Sequence, residues 1–245
     1  MTRSANLARS TRVLMGKLLL ALAIVVVPVV TGANCWARAS AGHDDKQTDY
    51  VVVDGGRAPD NRFSIAAHRE WQGGGKFQLY LMAEPAHEKI ASLGSIDAHA
   101  VLESAASAFA ARWAPDSRHV ALMLRTDRHD TTMQLFEIRD RRPHRLDGPT
   151  LFRAAAGSIP ESSHDYVPTA SVTELKWLGP ATFQLKDYRV YMTSTPNLAR
   201  ALGAFAKPSP SGRLVEFSAQ AVGEFAPGDR YKIKDLQPGK FAGTK

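Results

Sequence analysis

The sequence predicts an all-β protein made of repeated antiparallel meanders, and three observations carry that prediction. A turn segment recurs at fixed offsets, a β-type run follows each copy, and a second run with period-2 alternation follows after a polar loop. Ala58-Pro59-Asp60-Asn61-Arg62 matches Ala114-Pro115-Asp116-Ser117-Arg118 at an offset of 56, and Ser209-Pro210-Ser211-Gly212-Arg213 matches the second copy at an offset of 95. Both offsets hold further along. Gln78-Leu79-Tyr80 lies opposite Gln134-Leu135-Phe136, and Phe136 to Asp140 lies opposite Tyr231 to Asp235. Self-similarity of this kind is sought first, because a missed repeat misreads the whole fold.

The elements follow in order. Residues 1–17 hold Arg3, Arg9, Arg12 and Lys17 and no acid, and Leu18 to Val30 is an apolar run of 13 residues. Ala37-Arg38-Ala39 and Ala39-Ser40-Ala41 then offer overlapping A-x-A sites. That order is the pattern of a secretory signal peptide. The run is shorter than the about 20 residues of a membrane-spanning helix. Residues 1–41 are therefore read as a leader cut at Ala37 to Ala41, and residues 42–245 as one β-repeat domain. Its units lie near 50–95, 105–150, 170–195 and 205–245. In each turn, proline sets φ for the first corner, and Asp, Ser, Asn or Gly suits the corners that follow. Phe63 to Ala66, His119 to Leu122 and Leu214 to Phe217 are the strands after the turns. Phe77-Gln78-Leu79-Tyr80-Leu81 shows the alternation of a half-buried strand. Glu174-Leu175-Lys176-Trp177 resembles the approach to Trp113 and marks the fourth, worn unit. The Leu198, Leu202 and Phe205 spacing suggests a short helix over 197–205.

Composition narrows the function. The 245 residues are 44% hydrophobic and 22% charged, which is globular composition. The formal charge of +7 raises nucleic acid or an anionic membrane as partners. The leader accounts for most of it. Removing residues 1–41 takes five basic residues and no acid, leaving 26 basic and 24 acidic ones. Cys35, the single cysteine, leaves too, so neither a disulfide framework nor a multi-cysteine zinc site is expected. No nucleic-acid partner and no membrane span after cleavage are expected.

Trp113-Ala114-Pro115-Asp116-Ser117-Arg118-His119-Val120-Ala121 resembles the W-S-P-D-G-K-x-I-A signature of the TolB-type, WD40-like β-propeller repeat. The resemblance covers roughly residues 50–245. It implies a partial or four-bladed propeller-like fold, with a β-sandwich as the alternative. It also implies the roles such propellers play: interaction platforms, substrate-guiding domains beside peptidases, or periplasmic members of envelope complexes.

No catalytic, cofactor or metal constellation stands out. Ser162-Ser163-His164-Asp165 holds the residue types of a hydrolase triad, but neighbours on an extended chain point to opposite faces. His129 with Asp127 and Asp130 shares a loop and reads as solvated. Trp113 and Trp177 read as core wedges between sheets. The Arg139 to Arg145 run reads as a solvated face. Trp71, beside Glu70 and Gln72 and ahead of three glycines, reads as an exposed contact residue. The sequence thus points to an exported, periplasmic or secreted, non-catalytic binding or scaffold protein that meets a protein or envelope partner. The alternatives are a secreted hydrolase with a site assembled from distant loops, and a structural envelope-associated β-sandwich. Mass spectrometry of the exported form is expected to show a chain starting at Ser40 or Gly42; a chain starting at Met1 would overturn the export reading.

Overall fold

The computed structural model describes residues 50–70, 75–97, 106–127 and 129–241. The expected leader with its cleavage positions Ala37, Ala39 and Ala41, and the contact residue Trp71, lie outside the described residues. The described chain is all-β. β1 (Val51–Arg57), β2 (Phe63–Glu70), β3 (Lys76–Ala83) and β4 (Glu88–Asp97) form one antiparallel meander. β5 (Phe109–Trp113), β6 (His119–Arg125), β7 (Thr131–Arg139) and β8 (Arg142–Leu146) form a second. The two join through a parallel contact of β1 with β5, so eight strands run in the order β4-β3-β2-β1-β5-β6-β7-β8.

The recurring turn is one structure used three times. The amides of Ala58, Ala114 and Ser209 donate to the carbonyls of Phe63, His119 and Leu214 at 3.0, 2.8 and 2.8 Å. The side chains of Asp60, Asp116 and Ser211 accept the amide two residues on, at 3.0, 2.9 and 3.4 Å. Such side-chain acceptors mimic a backbone turn. Asn61, Ser117 and Gly212 take the left-handed corner at φ 57°, 57° and 69°. Strand register is conserved with the turn: Arg57 pairs with Ser64, Trp113 with Val120, and Pro208 with Val215.

The third copy nevertheless sits elsewhere in its sheet. β9 (Tyr166–Trp177), β10 (Thr182–Thr193), β12 (Leu214–Ala226) and β13 (Arg230–Pro238) form a third meander, and β11 (Ala206–Pro208) adds a short edge to β12. The segments 170–195 and 205–245 therefore build one sheet instead of two units. β11 is three residues long and ends on Pro208, which has no amide to give a ladder. β10 pairs with β12 along eleven residue pairs instead. Two short helices, α1 (Leu151–Ala156) and α2 (Asn197–Leu202), and a 3-10 turn (Gly203–Phe205) complete the third layer, the latter two at the expected 197–205.

The meanders stack face to face, and strand alternation divides their side chains between two cores. On β6, Val120, Leu122 and Leu124 face the first meander, while Ala121 and Met123 face the third. On β7, Phe136 and Ile138 take the first side, and Met133 and Leu135 the second. Phe183, Tyr191 and Phe217 fill the second core, each fully buried. A β-sandwich places one core between two sheets; here three layers hold two cores, as adjacent blades of a propeller do.

Trp113 is the wedge of the first core. It is 9% exposed, and its indole Nε1 donates to the Gly56 carbonyl at 2.9 Å in a buried bond. Trp113→Phe removes that buried bond, and is expected to lower the free energy of unfolding by about 1–3 kcal/mol, read from the urea midpoint. Trp177→Phe, whose bond is exposed, is expected to cost less.

Candidate functional site

The C-terminal ends of β1, β5 and β9 meet at one rim. Trp113 bridges from β5 to Gly56 on β1, and Trp177 bridges from β9 to the Arg112 carbonyl on β5 at 2.9 Å. Gly56 and Arg112 are equivalent positions at the repeat offset, so the same bond links each inner strand to the one before it. Lys176 stands before Trp177 as Arg112 stands before Trp113. β1 and β5 approach so closely that a side chain at Gly55 has no room. Gly55 has φ +64°, and a Cβ there would lie 2.3 Å from the Ala111 carbonyl oxygen.

An open groove of about 400 Å³ lies at this rim, lined by Gly55, Arg57, Pro59, Ala111, Arg112, Trp113, Leu175, Lys176 and Trp177. Arg112 is held by Asp54 at 3.0 Å and also donates to the Ala111 carbonyl at 2.8 Å. Arg57 stands 3.8 Å from Glu84 with its side chain 60% exposed. The Ser64 hydroxyl donates to Glu84 at 2.7 Å and His87 lies at 3.1 Å, which together with Arg57 hold the Glu84 carboxyl below its usual range. Lys176 is exposed and has no ion-pair partner among the described residues. A second cavity of similar size lies on the third sheet beside Gly239 to Phe241. It draws on one sheet, and its Glu174 and Lys186 face each other at 4.0 Å. The rim, built by all three meanders, is the stronger candidate.

The catalytic-looking residues are placed apart or put to structural use. His164 Nε2 lies 3.1 Å from Asp165 with its side chain 90% exposed, and the Ser163 hydroxyl accepts the Asp165 amide at 3.2 Å, so the three form no relay. The His129 carbonyl accepts the Ser171 amide at 2.9 Å, and the Asp130 carboxylate accepts the Ser171 hydroxyl at 3.1 Å, tying that loop to β9. Asp116 takes the amides of Arg118 and His119 and binds His119 Nδ1 at 2.7 Å. The His119 ring stacks on Phe225 at 4.2 Å, across the second core. Among the described residues no group of His, Cys, Asp and Glu is arranged to hold a metal ion. The basic Arg139 to Arg145 run is an ionic web, not a free face. Arg139 pairs with Glu137 and Asp229, Arg141 with Glu88 at 3.5 Å, and Arg145 with Asp147 at 3.7 Å.

Sequence reading gave no sign of the buried charges of the third layer. Asp187 and Arg189 point into the second core from β10, and Arg189 Nε donates to both Asp187 oxygens at 3.1 and 3.0 Å. Arg189 also reaches Glu161 at 2.5 Å and lies over the Phe152 ring at 5.5 Å. The Thr150 hydroxyl donates to Glu161 at 2.6 Å and accepts the Arg153 amide, capping α1. The period-2 pattern of Lys186-Asp187-Tyr188-Arg189-Val190-Tyr191 marks a strand but does not say which face is inside. The rim, by contrast, had a signal: a basic residue precedes both tryptophans.

No protein-family model matches the chain, and no curated protein matches it. A solved structure, the periplasmic gluconolactonase of Pseudomonas aeruginosa, is 12% identical with a TM-score of 0.27, and the match covers 80% of this chain and 59% of that one. This chain thus spans about three-fifths of that protein's length. A likeness this remote bears on no activity. The assignment of an all-β, propeller-like fold stands on the stacked meanders and their parallel inner strands. No helix among the described residues is long and apolar enough to cross a membrane.

Burial raises the Glu161 pKa, but the Thr150 hydroxyl and the Arg189 guanidinium outweigh it and lower the carboxyl from 4.5. A depressed folded-state value contributes stability above the unfolded value and loses it as pH falls through the folded one. Glu161→Gln is therefore expected to lower the unfolding free energy by about 1 kcal/mol at neutral pH, a modest figure for a partly exposed pair. The gap between wild type and variant narrows as the pH falls below 4.5, measured by urea unfolding across pH.

Proposed function

We propose that the protein is an exported, non-catalytic binding module that contacts a protein or envelope partner through the rim of β1, β5 and β9. The observation that carries this reading is the groove itself. Three meanders converge on it, and it joins exposed cations to the half-buried Trp177 indole on backbone held by the two inter-strand indole bonds. Aromatic and arginine side chains on a fixed frame are the usual anchors of protein contacts. Ser163, His164 and Asp165 form no relay, and the Asp130 carboxylate is engaged in tying its loop to β9. The TolB-type resemblance of Trp113 to Ala121 supports the same reading, since that segment builds the turn and the wedge, and such propellers include interaction platforms. The leader supports export.

The test places a photo-crosslinking residue, p-benzoylphenylalanine, at Lys176, with Lys232 on β13 as the distant control. Illumination in the cell is expected to join the rim position, and not the control, to one recurrent partner. Hydrolysis of generic ester or peptide substrates, abolished by His164→Ala or His129→Ala, would overturn the reading, as would the absence of any crosslink at the rim.

A further inference from the structure

We infer that the partner enters the rim groove as an extended acidic segment; this rests on the binding-module reading above. The groove is lined by Arg57, Arg112 and Lys176. Its nearby acids are already engaged. Asp54 pairs with Arg112 at 3.0 Å, and Glu84 is shared among Ser64, His87 and Arg57. Lys176 has no ion-pair partner among the described residues, and Arg57 has only the long 3.8 Å contact. Three cations thus meet two acids, so the rim keeps a net positive charge, centred on Lys176 and on the loosely held Arg57, and carboxylates on a partner complement it.

The shape selects an extended chain. Small ligands are held in concave pockets that bury most of their surface. This groove is open and runs across three strand ends. A small organic acid would stay largely in water there, whereas a segment laid along it gains several contacts at once. Pro59, Leu175 and the half-buried Trp177 ring offer apolar surface to the stems of acidic side chains. The wider charge distribution argues against nucleic acid. Residues 42–245 carry 26 basic and 24 acidic residues, and duplex or single-strand binding needs a broad cationic track along the backbone.

The probe is a fluorescein-labelled hexaglutamate, acetylated and amidated at its ends, followed by anisotropy. Saturable binding is expected, weakening as salt rises. Arg57→Glu with Lys176→Glu is expected to weaken it at least tenfold, and Lys176→Glu alone to weaken it less. Both side chains are exposed, and an unchanged melting temperature shows that each variant is folded. The inference is overturned by no saturable binding, by a double variant within twofold of wild type, or by equal or tighter binding of hexathymidylate or of acetate alone. If hexaglutamate fails while the crosslink at position 176 persists, the acidic segment is wrong and the binding module stands. If both fail, both are wrong.

Discussion

The rest of the structure depends on how one inner strand is fastened to the next. An antiparallel meander satisfies its own backbone, but its inner edge faces a neighbour whose strand runs parallel. Only one residue pair, Asp54 with Ala110, joins β1 to β5 in register. An indole supplies the fastening that the ladder does not. Trp113 reaches the Gly56 carbonyl, and Trp177 reaches the Arg112 carbonyl, both at 2.9 Å. Each bond pairs a polar atom at a crowded junction and brings a large apolar ring into the inter-sheet core. Repetition of the bond fixes the spacing of the inner strands, so it also fixes the groove.

The outer strands are tied differently. The β7–β8 hairpin turns on Asp140 and Arg141, both at positive φ, as a tight two-residue hairpin requires. Its arginines pair with Glu88 of the first meander and Asp229 of the third. Backbone bonds between Asp147 and the start of β13 reinforce the second contact. Exposed ion pairs of this kind add little stability singly. Their geometric effect is larger, because they hold the outer edges while the indoles hold the inner ones. Apolar faces between the two sets of ties, such as Leu122 against the first meander and Leu135 against the third, supply the burial that drives the stack.

Much of this was legible because turn chemistry is local. Asp60, Asp116 and Ser211 accept an amide two residues away, and no distant contact is needed for that. The third turn kept its chemistry and its register with the strand that follows, yet lost its place as the start of a blade. Pro208 replaced the tryptophan, β11 shrank to three residues, and the long β10 took the other edge of β12. A repeat found by alignment therefore counts turns faithfully and sheets less so. The site was half legible. Trp113 and Trp177 stood out as wedges, and Arg112 and Lys176 stood beside them. That Arg57 belongs with them is a tertiary fact, since it occupies a tryptophan's place in the first copy.

By itself the sequence determined the all-β class, the repeating turn, the strand alternation and the near-neutral charge of residues 42–245. Each is set by short-range sterics, by period-2 side-chain direction or by counting charges. Only the tertiary structure decided that the last two units share one sheet, that Asp187 and Arg189 face inward, and that three strand ends form one groove. Those outcomes depend on which faces stack and which edges pair. That choice is made by burial and long-range hydrogen bonding between segments more than 50 residues apart, such as Trp113 and Gly56.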